Sequence, residues 1–362
     1  MPSSQFTIYT SNDIGGPGQI NGQTGSLIGI LDACLVNGYT GKPAVGWTHP
    51  IATTGSYACY IPPSGSRHTM FVNDSGPNAT SLGKEAGITG WLTMTSLSAS
   101  AIASVLTPAN NTGTGYGQFP QPTQLLTWGR VIWRKSVSAD NIGRNWIIAA
   151  DAYTMYIWLA GGDVAGSYWH GGFGDFYSFY GTADVGRCYL FGRAVENDPS
   201  VTITAPINDG GDAIAIGPYT QGSTAFSSLA SAIPGCYIAR SPSGKTSSIP
   251  FTKKGDGSLC LKTVPNANNS QMWATMAGCL ACPNPQDNNF YVSPVWVYDP
   301  AVPSLRGRYR GIFQILHPPT NFVDGQIITC GGDYSDKTFM IIKTGHYGGF
   351  WALEISTTID TN

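Results

Sequence analysis

Aspartates close to aromatic residues are the side chains in this sequence whose spacing could support chemistry. Asp163, Asp175 and Asp184 lie along a segment rich in Gly, Tyr, Trp and Phe. Two carboxylates flanking a bound sugar are typical of a glycoside hydrolase. Aspartates in glycine-rich loops also accept hydrogen bonds from the backbone of turns. We favour the turn role for these residues and keep the glycosidase cleft as the weaker alternative.

The remaining candidate motifs are incomplete. Cys279 and Cys282 have the spacing of half a zinc site, but neither a second CxxC nor a histidine pair accompanies them. Residues 244–246, GKT, resemble the end of a phosphate-binding loop, yet Ala239 stands where that loop needs glycine. The sequence therefore predicts no catalytic residue, no cofactor-binding residue, no metal ligand and no cofactor, and we expect a protein that is not an enzyme.

The eight cysteines are predicted to be free thiols. The N-terminal residues, MPSSQFTIYTSND, lack the basic and apolar stretches of a secretory signal. We therefore expect the chain to fold in a reducing compartment, where disulfides are rare and buried cysteines act as small apolar residues. The cysteines are Cys34, Cys59, Cys188, Cys236, Cys260, Cys279, Cys282 and Cys330.

The low charge of the chain is its most unusual bulk property. Charged residues make up only 11% of its 362 residues, against about 25% in a soluble globular domain. The formal net charge is -2, so little electrostatic repulsion keeps copies apart. We expect much of the surface to be buried in an assembly of the chain with itself; a secreted β protein is the alternative.

Neither a membrane nor a nucleic acid is predicted as a partner. No apolar run approaches the roughly 18 residues that would span a bilayer. The basic residues cluster in two places and alternate with apolar residues at strand spacing, which predicts the solvated face of a strand rather than a phosphate-binding track. These basic residues are Arg130, Arg134, Lys135, Arg306, Arg308 and Arg310.

Turn and strand patterns predict a mainly β chain. With 46 Gly and 24 Pro, turns are many and long helices few. We expect an antiparallel sandwich or barrel with long glycine-rich loops and one short helix near 26–37. In that helix Ser26 is placed to cap the first turn, and Asn37 and Gly38 are placed to end it.

Residues 145–193 carry the densest aromatic content and are predicted to form the centre of the core. Two β-branched and aromatic runs, 146–150 and 154–160, predict a hairpin. A glycine-rich loop is predicted to follow, and then a third strand at 187–192. Large aromatic residues bury the most surface, so four of them should be buried: Trp146, Tyr156, Trp158 and Phe176.

The C-terminal part is predicted to add further short strands. The run 291–298 alternates, but Pro294 favours an edge strand or a bulge there. Four more strand candidates follow, separated by turn residues. We divide the chain into an N-terminal and central β-rich region, 1–205, with the helix near 26–37, and a C-terminal β-rich region, 206–362; a single domain is the alternative. The four further candidates are 308–316, 326–330, 338–343 and 350–356.

Three stretches carry a family resemblance. They are FTIYTSNDIGGPGQINGQTGSLIGILDACLVNGYTGKPAVGWT near the N-terminus; RKS, RNWIIAADAYTMYIWLA and FGDFYSF in the centre; and LRGRYRGIFQILH near the C-terminus, followed by DG and LEIS. Together they resemble an uncharacterised family of tailed-bacteriophage virion structural proteins. The resemblance covers most of the chain in order and is weakest at about 205–285.

The resemblance implies a non-enzymatic subunit of the virion, made in the host cytoplasm, that assembles with copies of itself and with other virion structural proteins. A place in the tail, neck or baseplate is the first expectation. A capsid decoration (cement) protein is one alternative. A receptor-binding module is another, in which exposed Trp and Tyr would stack on a host surface glycan; a virion enzyme that degrades polysaccharide is a third.

Overall fold

The computed structural model describes thirteen segments of the chain, and the statements below refer to these residues. They are 5–75, 85–97, 113–119, 130–136, 138–160, 169–192, 236–240, 246–249, 289–299, 304–315, 322–331, 335–344 and 349–356. Within them the chain is mainly β, with antiparallel sheets and a single short α-helix, as the sequence predicts.

Nineteen strands lie in the described residues. They are β1 (Thr7–Thr10), β2 (Tyr57–Tyr60), β3 (Thr69–Asn73), β4 (Glu85–Trp91), β5 (Thr93–Ser96), β6 (Thr114–Tyr116), β7 (Val131–Arg134), β8 (Trp146–Ala150), β9 (Thr154–Leu159), β10 (Trp169–Asp175), β11 (Tyr177–Ser178), β12 (Cys188–Phe191), β13 (Cys236–Arg240), β14 (Thr246–Ile249), β15 (Val292–Asp299), β16 (Ser304–Ile315), β17 (Ile327–Thr329), β18 (Thr338–Thr344) and β19 (Gly349–Glu354). The helix α1 spans Ser26–Leu31 and continues into a π-helical segment, Asp32–Asn37; a short 3₁₀ helix spans Gly181–Ala183.

The strands form three larger sheets and one small one. The central sheet has seven strands in the order β1-β8-β9-β10-β12-β13-β14. The C-terminal sheet has the order β11-β16-β19-β18-β17, with β15 paired to β16, and the N-terminal sheet has the order β2-β3-β4-β7. Strands β5 and β6 form a separate pair. Among the described strands none of these sheets closes into a barrel.

The central sheet is the middle layer, and both of its faces are buried. On one face Met155 and Ile157 join a core cluster with α1 and the N-terminal sheet. On the other face Tyr156 and Trp158 join a cluster with the C-terminal sheet, where the Trp158 and Trp351 rings meet edge to face at 5.9 Å. This alternation follows from the two-residue period of a strand. The four aromatic residues expected in the core are all fully buried, so that prediction is confirmed.

The predicted central hairpin is confirmed as β8 and β9, and the third run is confirmed as β12. The stretch between them was predicted to be a loop, but part of it forms β10, which lies between β9 and β12. A Cβ at Gly171 would stand 2.2 Å from Trp133 Nε1, and one at Gly172 would stand 2.6 Å from Phe191 Cε1. Glycine is required here because large rings cover the strand directly.

The predicted N-terminal helix exists, and Gly38 with a positive φ of 72° follows its last turn as predicted. The predicted cap is wrong, because the Ser26 side chain makes no capping hydrogen bond. The backbone N–H groups of Leu27 and Ile28 instead donate to Asp74 Oδ2 at 2.8 and 3.2 Å. A carboxylate from the end of β3 therefore occupies the position that a local cap would take.

The C-terminal strand predictions are confirmed. Among the described strands β15 pairs only with β16, and its register shifts between Pro294 and Trp296, as proline in an edge strand requires. The central sheet and the C-terminal sheet each take strands from either side of residue 205: β13 and β14 extend the central sheet, and β11 joins the C-terminal sheet. The two-region division stays a prediction.

Candidate functional site

The basic residues that were predicted to face solvent are buried, and that prediction is wrong. Aspartates that lie far away in the sequence pair with several of them, and aromatic rings cover others. A buried charge is tolerated when it is paired and hydrogen-bonded. The buried residues are Arg130, Arg134, Lys135, Arg306, Arg308 and Arg310.

Arg310 joins the C-terminal sheet to the central hairpin. Its Nη2 lies 2.7 Å from Asp151 Oδ2, while Asp151 Oδ1 accepts the backbone N–H groups of Tyr153 and Thr154 in the β8–β9 turn. The guanidinium carbon lies 4.4 Å from the Tyr153 ring centroid and 4.5 Å from that of Tyr177. A planar cation between two rings and beside a carboxylate is a geometry that arginine fits and lysine does not.

Arg306 fixes the connection between β11 and β12. It binds Asp184 through two nitrogens, with Nε 2.8 Å from Oδ2 and Nη2 close to Oδ1. The same carboxylate accepts the Ser178 hydroxyl and the Gly186 N–H. Asp184 thus has the predicted turn role, and residues 178–186, hereafter the 178–186 loop, are held to the C-terminal sheet.

Two of the three carboxylates on which the glycosidase alternative depends are buried. Asp175 and Asp184 are only 1% and 2% exposed, and each is paired with an arginine, Arg187 and Arg306 respectively. An acid or base for glycoside hydrolysis must reach the scissile bond or its attacking water, and these two groups are turned into the protein. Asp163 lies outside the described residues.

Lys135 and Asp74 form a fully buried ion pair beneath the start of α1. Lys135 Nζ contacts Asp74 Oδ1 and donates to the Gln23 carbonyl at 2.8 Å and to Ser26 Oγ at 3.1 Å. Burial raises the pKa of Asp74 and lowers the pKa of Lys135, and in each case the partner's opposite charge counteracts burial. The pair ties the N-terminal sheet to the helix.

A separate cluster brings together three side chains of types that bind metals. The ligand atoms of His68, Asp175 and Cys188 all lie within 4.8 Å of one another, and all three residues are buried. Asp175 and Cys188 are register partners on β10 and β12, and His68 directly precedes β3. The sequence shows no such motif, because only strand pairing makes these residues neighbours. The prediction of no metal ligand stays a prediction.

Ser66 connects two members of this cluster. Its Oγ lies 2.6 Å from His68 Nδ1 and contacts Asp175 Oδ1, and its backbone N–H donates to Asp175 Oδ2 at 2.8 Å. Arg187 Nε lies 2.9 Å from Oδ2 as an ion pair, without the alignment of a hydrogen bond. Arg67, between Ser66 and His68, has a φ of 57°, the only positive φ among the described non-glycine residues.

One nitrogen of this cluster, His68 Nε2, lacks a hydrogen-bond partner among the residues that the structure describes. His68 is 4% exposed, and its Nε2 makes no hydrogen bond to any described residue. Most buried polar atoms in folded proteins are hydrogen-bonded. Burial, together with the nearby positive charges of Arg240 and Arg187, lowers the pKa of His68 to about 3. The imidazole is therefore neutral at pH 7, with a free lone pair inside the protein.

Burial also shifts the pKa values of the other two members of the cluster, Asp175 and Cys188. Burial raises the pKa of Asp175 to about 6, against the hydrogen bonds from Ser66 and the charge of Arg187, and it raises the pKa of the Cys188 thiol well above its usual value. A nucleophilic cysteine needs the opposite shift, toward thiolate. The hydrogen-bonded chain also differs from that of a Ser–His–Asp triad. In the triad the histidine bridges serine and aspartate, whereas here Ser66 bridges His68 and Asp175.

The exposed apolar side chains identify a candidate contact surface. Phe179, Tyr180 and Val185 are 60%, 48% and 58% exposed, and all three lie on the 178–186 loop. The Phe179 N–H donates to the Arg306 carbonyl at 2.8 Å, which adds to the Asp184 anchor. The loop therefore presents large apolar groups from a fixed backbone. Other exposed large apolar residues are Ile14, Tyr116, Ile142, Val323 and Ile327.

No family model matches the chain, and no curated protein is significantly similar to it. In the part of the chain that the structure describes, no helix is both long and apolar enough to cross a bilayer.

Proposed function

We propose that this chain is a non-enzymatic structural subunit of a tailed-phage virion, and that it assembles with copies of itself in the tail, neck or baseplate. The sequence resemblance supplies the virion context. The low charge of the chain supports an assembly role, since an 11% charged fraction leaves little to oppose association.

The observation that carries the assembly role is the 178–186 loop. Exposed aromatic residues are enriched at protein interfaces and depleted on free surfaces. A loop that is already ordered loses little conformational entropy on binding, so more of its contact energy is available for affinity. Here a buried bidentate ion pair, Arg306 with Asp184, orders the loop before any partner arrives. We assign this loop to contact with a second copy of the chain.

Sedimentation of the purified chain tests the proposal. We expect concentration-dependent self-association at physiological salt. The double variant Phe179→Ser/Tyr180→Ser should weaken it at least about tenfold, since buried aromatic anchors at interfaces each contribute about 2 kcal/mol or more. The matched control is Ile14→Ser/Val323→Ser, which removes two even more exposed apolar side chains elsewhere and should leave association unchanged. A monomeric wild-type chain at high concentration would overturn the assembly role.

Copy number separates the virion alternatives. A decoration protein occurs in hundreds of copies beside the major capsid protein, whereas a tail, neck or baseplate subunit occurs in a few to a few tens. The receptor-binding alternative needs exposed Trp and Tyr side chains. Trp146, Tyr156 and Trp158 are buried, so a glycan-binding surface would have to use other aromatic residues, such as Tyr116 or Tyr180.

A further inference from the structure

We propose that His68, Asp175 and Cys188 form a binding site for a divalent metal ion of the zinc type. Imidazole nitrogen, carboxylate oxygen and thiolate sulfur are the three donor types that Zn²⁺ takes in proteins. A thiolate and an imidazole together disfavour Mg²⁺ and Ca²⁺, which prefer oxygen ligands. The site is independent of the assembly role proposed above.

Only small side-chain movements separate the cluster from the geometry of a zinc site. Ligands at about 2.0–2.3 Å from a tetrahedral zinc ion stand about 3.3–3.8 Å from one another. An imidazole nitrogen of His68, a carboxylate oxygen of Asp175 and the Cys188 sulfur already lie within 4.8 Å of one another, so side-chain shifts on the order of 1 Å bring three donors to zinc-binding distance. Because Asp175 and Cys188 are paired across β10 and β12, two ligands are positioned by the sheet itself.

The unpartnered His68 Nε2 is the second observation that indicates a ligand. The hydrogen bonds assign its tautomer: Nδ1–H donates to Ser66 Oγ, and the Ser66 hydroxyl donates to Asp175 Oδ1. This order leaves the lone pair on Nε2, which is buried and has no hydrogen-bond donor among the described residues. Metal-bound histidines typically have such an outer partner on the other ring nitrogen, which fixes the ring and its tautomer. Ser66 would therefore be a positioning residue.

Charge balance decides the protonation state of the bound form. On binding, the Cys188 S–H bond breaks, the sulfur donates its electron pair to the metal, and the proton leaves to solvent. The ion, one thiolate and one carboxylate then sum to zero charge, and Arg187 keeps its contact with Asp175 Oδ2. Ser66 is half-buried and Gly65 and Arg67 are exposed, so the segment that leads into His68 lies at the protein surface; a water would supply the fourth ligand.

Cobalt substitution tests the site on the full-length chain. After treatment with a chelator, one equivalent of Co²⁺ should produce a thiolate-to-metal charge-transfer band in the near-ultraviolet together with the visible bands of tetrahedral Co²⁺. Zn²⁺ should displace the cobalt and raise the thermal midpoint. Cys188→Ser should abolish the charge-transfer band, and His68→Gln should weaken binding more than the roughly 10–100-fold lost with an outer-shell partner.

The controls separate this site from other thiols. Cys34→Ser and Cys59→Ser alter buried thiols outside the cluster and should leave the Co²⁺ spectrum unchanged, as should Cys279→Ser/Cys282→Ser. Absence of a charge-transfer band in the wild-type chain would overturn the proposal without any variant having to fold. A band that survives Cys188→Ser, or one that is lost with Cys279→Ser/Cys282→Ser, would overturn it equally.

Discussion

Replacement of Asp74 by asparagine tests how the buried ion pairs stabilise the fold. Both Asp74 and Lys135 have fully buried side chains. Asp74→Asn keeps the size of the side chain and an oxygen that can still accept from the start of α1, so the main loss is the charge. An unpaired ammonium would remain inside the protein. We expect the free energy of unfolding to fall by about 3–5 kcal/mol, the usual cost of breaking a buried pair.

A double-mutant cycle isolates the pair itself. Lys135→Met alone should also destabilise strongly, because Asp74 would be left buried without a cation. The double variant Asp74→Asn/Lys135→Met should lose at least about 2 kcal/mol less than the sum of the two single losses, since no uncompensated charge remains. The control pair is Asp13 with Lys42, whose side chains are 14% and 31% exposed; its coupling should be about 0.2–1 kcal/mol.

Equilibrium urea unfolding, followed by far-ultraviolet circular dichroism, supplies the free energies. The expected order is a large coupling for the buried pair and a small one for the Asp13 pair. Two outcomes would refute the view that burial makes the Asp74–Lys135 contact important. One is that the stability losses of Asp74→Asn and Lys135→Met simply add in the double variant; the other is that the two ion pairs have equal coupling energies.

Three further predictions concern the core, the pH dependence and the thiols. Trp158→Ala should cost about 3–5 kcal/mol of unfolding free energy, because it leaves a cavity between the central and C-terminal sheets; a loss below about 1 kcal/mol would contradict the burial of this ring. Burial opposes ionisation of Asp13, but hydrogen bonds from Lys42, Tyr39 and Thr10 outweigh it and lower its pKa. The folded pKa is thus below the unfolded value of about 3.9, so the stability that Asp13 contributes at neutral pH begins to be lost as the pH falls below about 4 and is gone below the folded pKa; Asp13→Asn should destabilise at pH 7, and the difference from wild type should shrink steadily as the pH falls below about 4. A reducing agent should leave the thermal midpoint unchanged, because the four cysteines whose side chains are described are free thiols; a lowered midpoint would indicate a disulfide.

The strands could be predicted from the sequence where side chains alternate or cluster by type. The hairpin of β8 and β9 is rich in β-branched and aromatic residues, and its pattern reflects burial on both faces. Strand β10 could not be predicted in this way. Gly171 and Gly172 lie directly under aromatic rings, and a side chain at either position would clash with them. Local propensity treats glycine as a turn signal, and tertiary packing overrides it here.

The buried charges show a second limit of sequence patterns. Arg306 and Arg310 alternate with apolar residues, a pattern typical of a strand with one solvated face. Their partners, Asp184 and Asp151, lie more than a hundred residues earlier in the chain. Nothing local to β16 signals these partners. The alternation correctly predicts a strand, but the prediction that its basic residues face solvent is wrong.

The His68 cluster was hidden from the sequence for the same reason. His68 and Asp175 are more than a hundred residues apart, and Cys188 becomes a neighbour only through the pairing of β10, the strand that local patterns did not predict. The half zinc motif at Cys279 and Cys282 lies outside the described residues, as do Cys260 and most of 205–285.

Copy number in purified virions tests the central claim most directly. The proposed function predicts that purified virions contain this chain as a stable component, and that quantitative mass spectrometry against the major capsid protein gives a few to a few tens of copies per particle. That result would support a tail, neck or baseplate subunit. Absence of the chain from particles that are otherwise complete and infectious would contradict the proposed function.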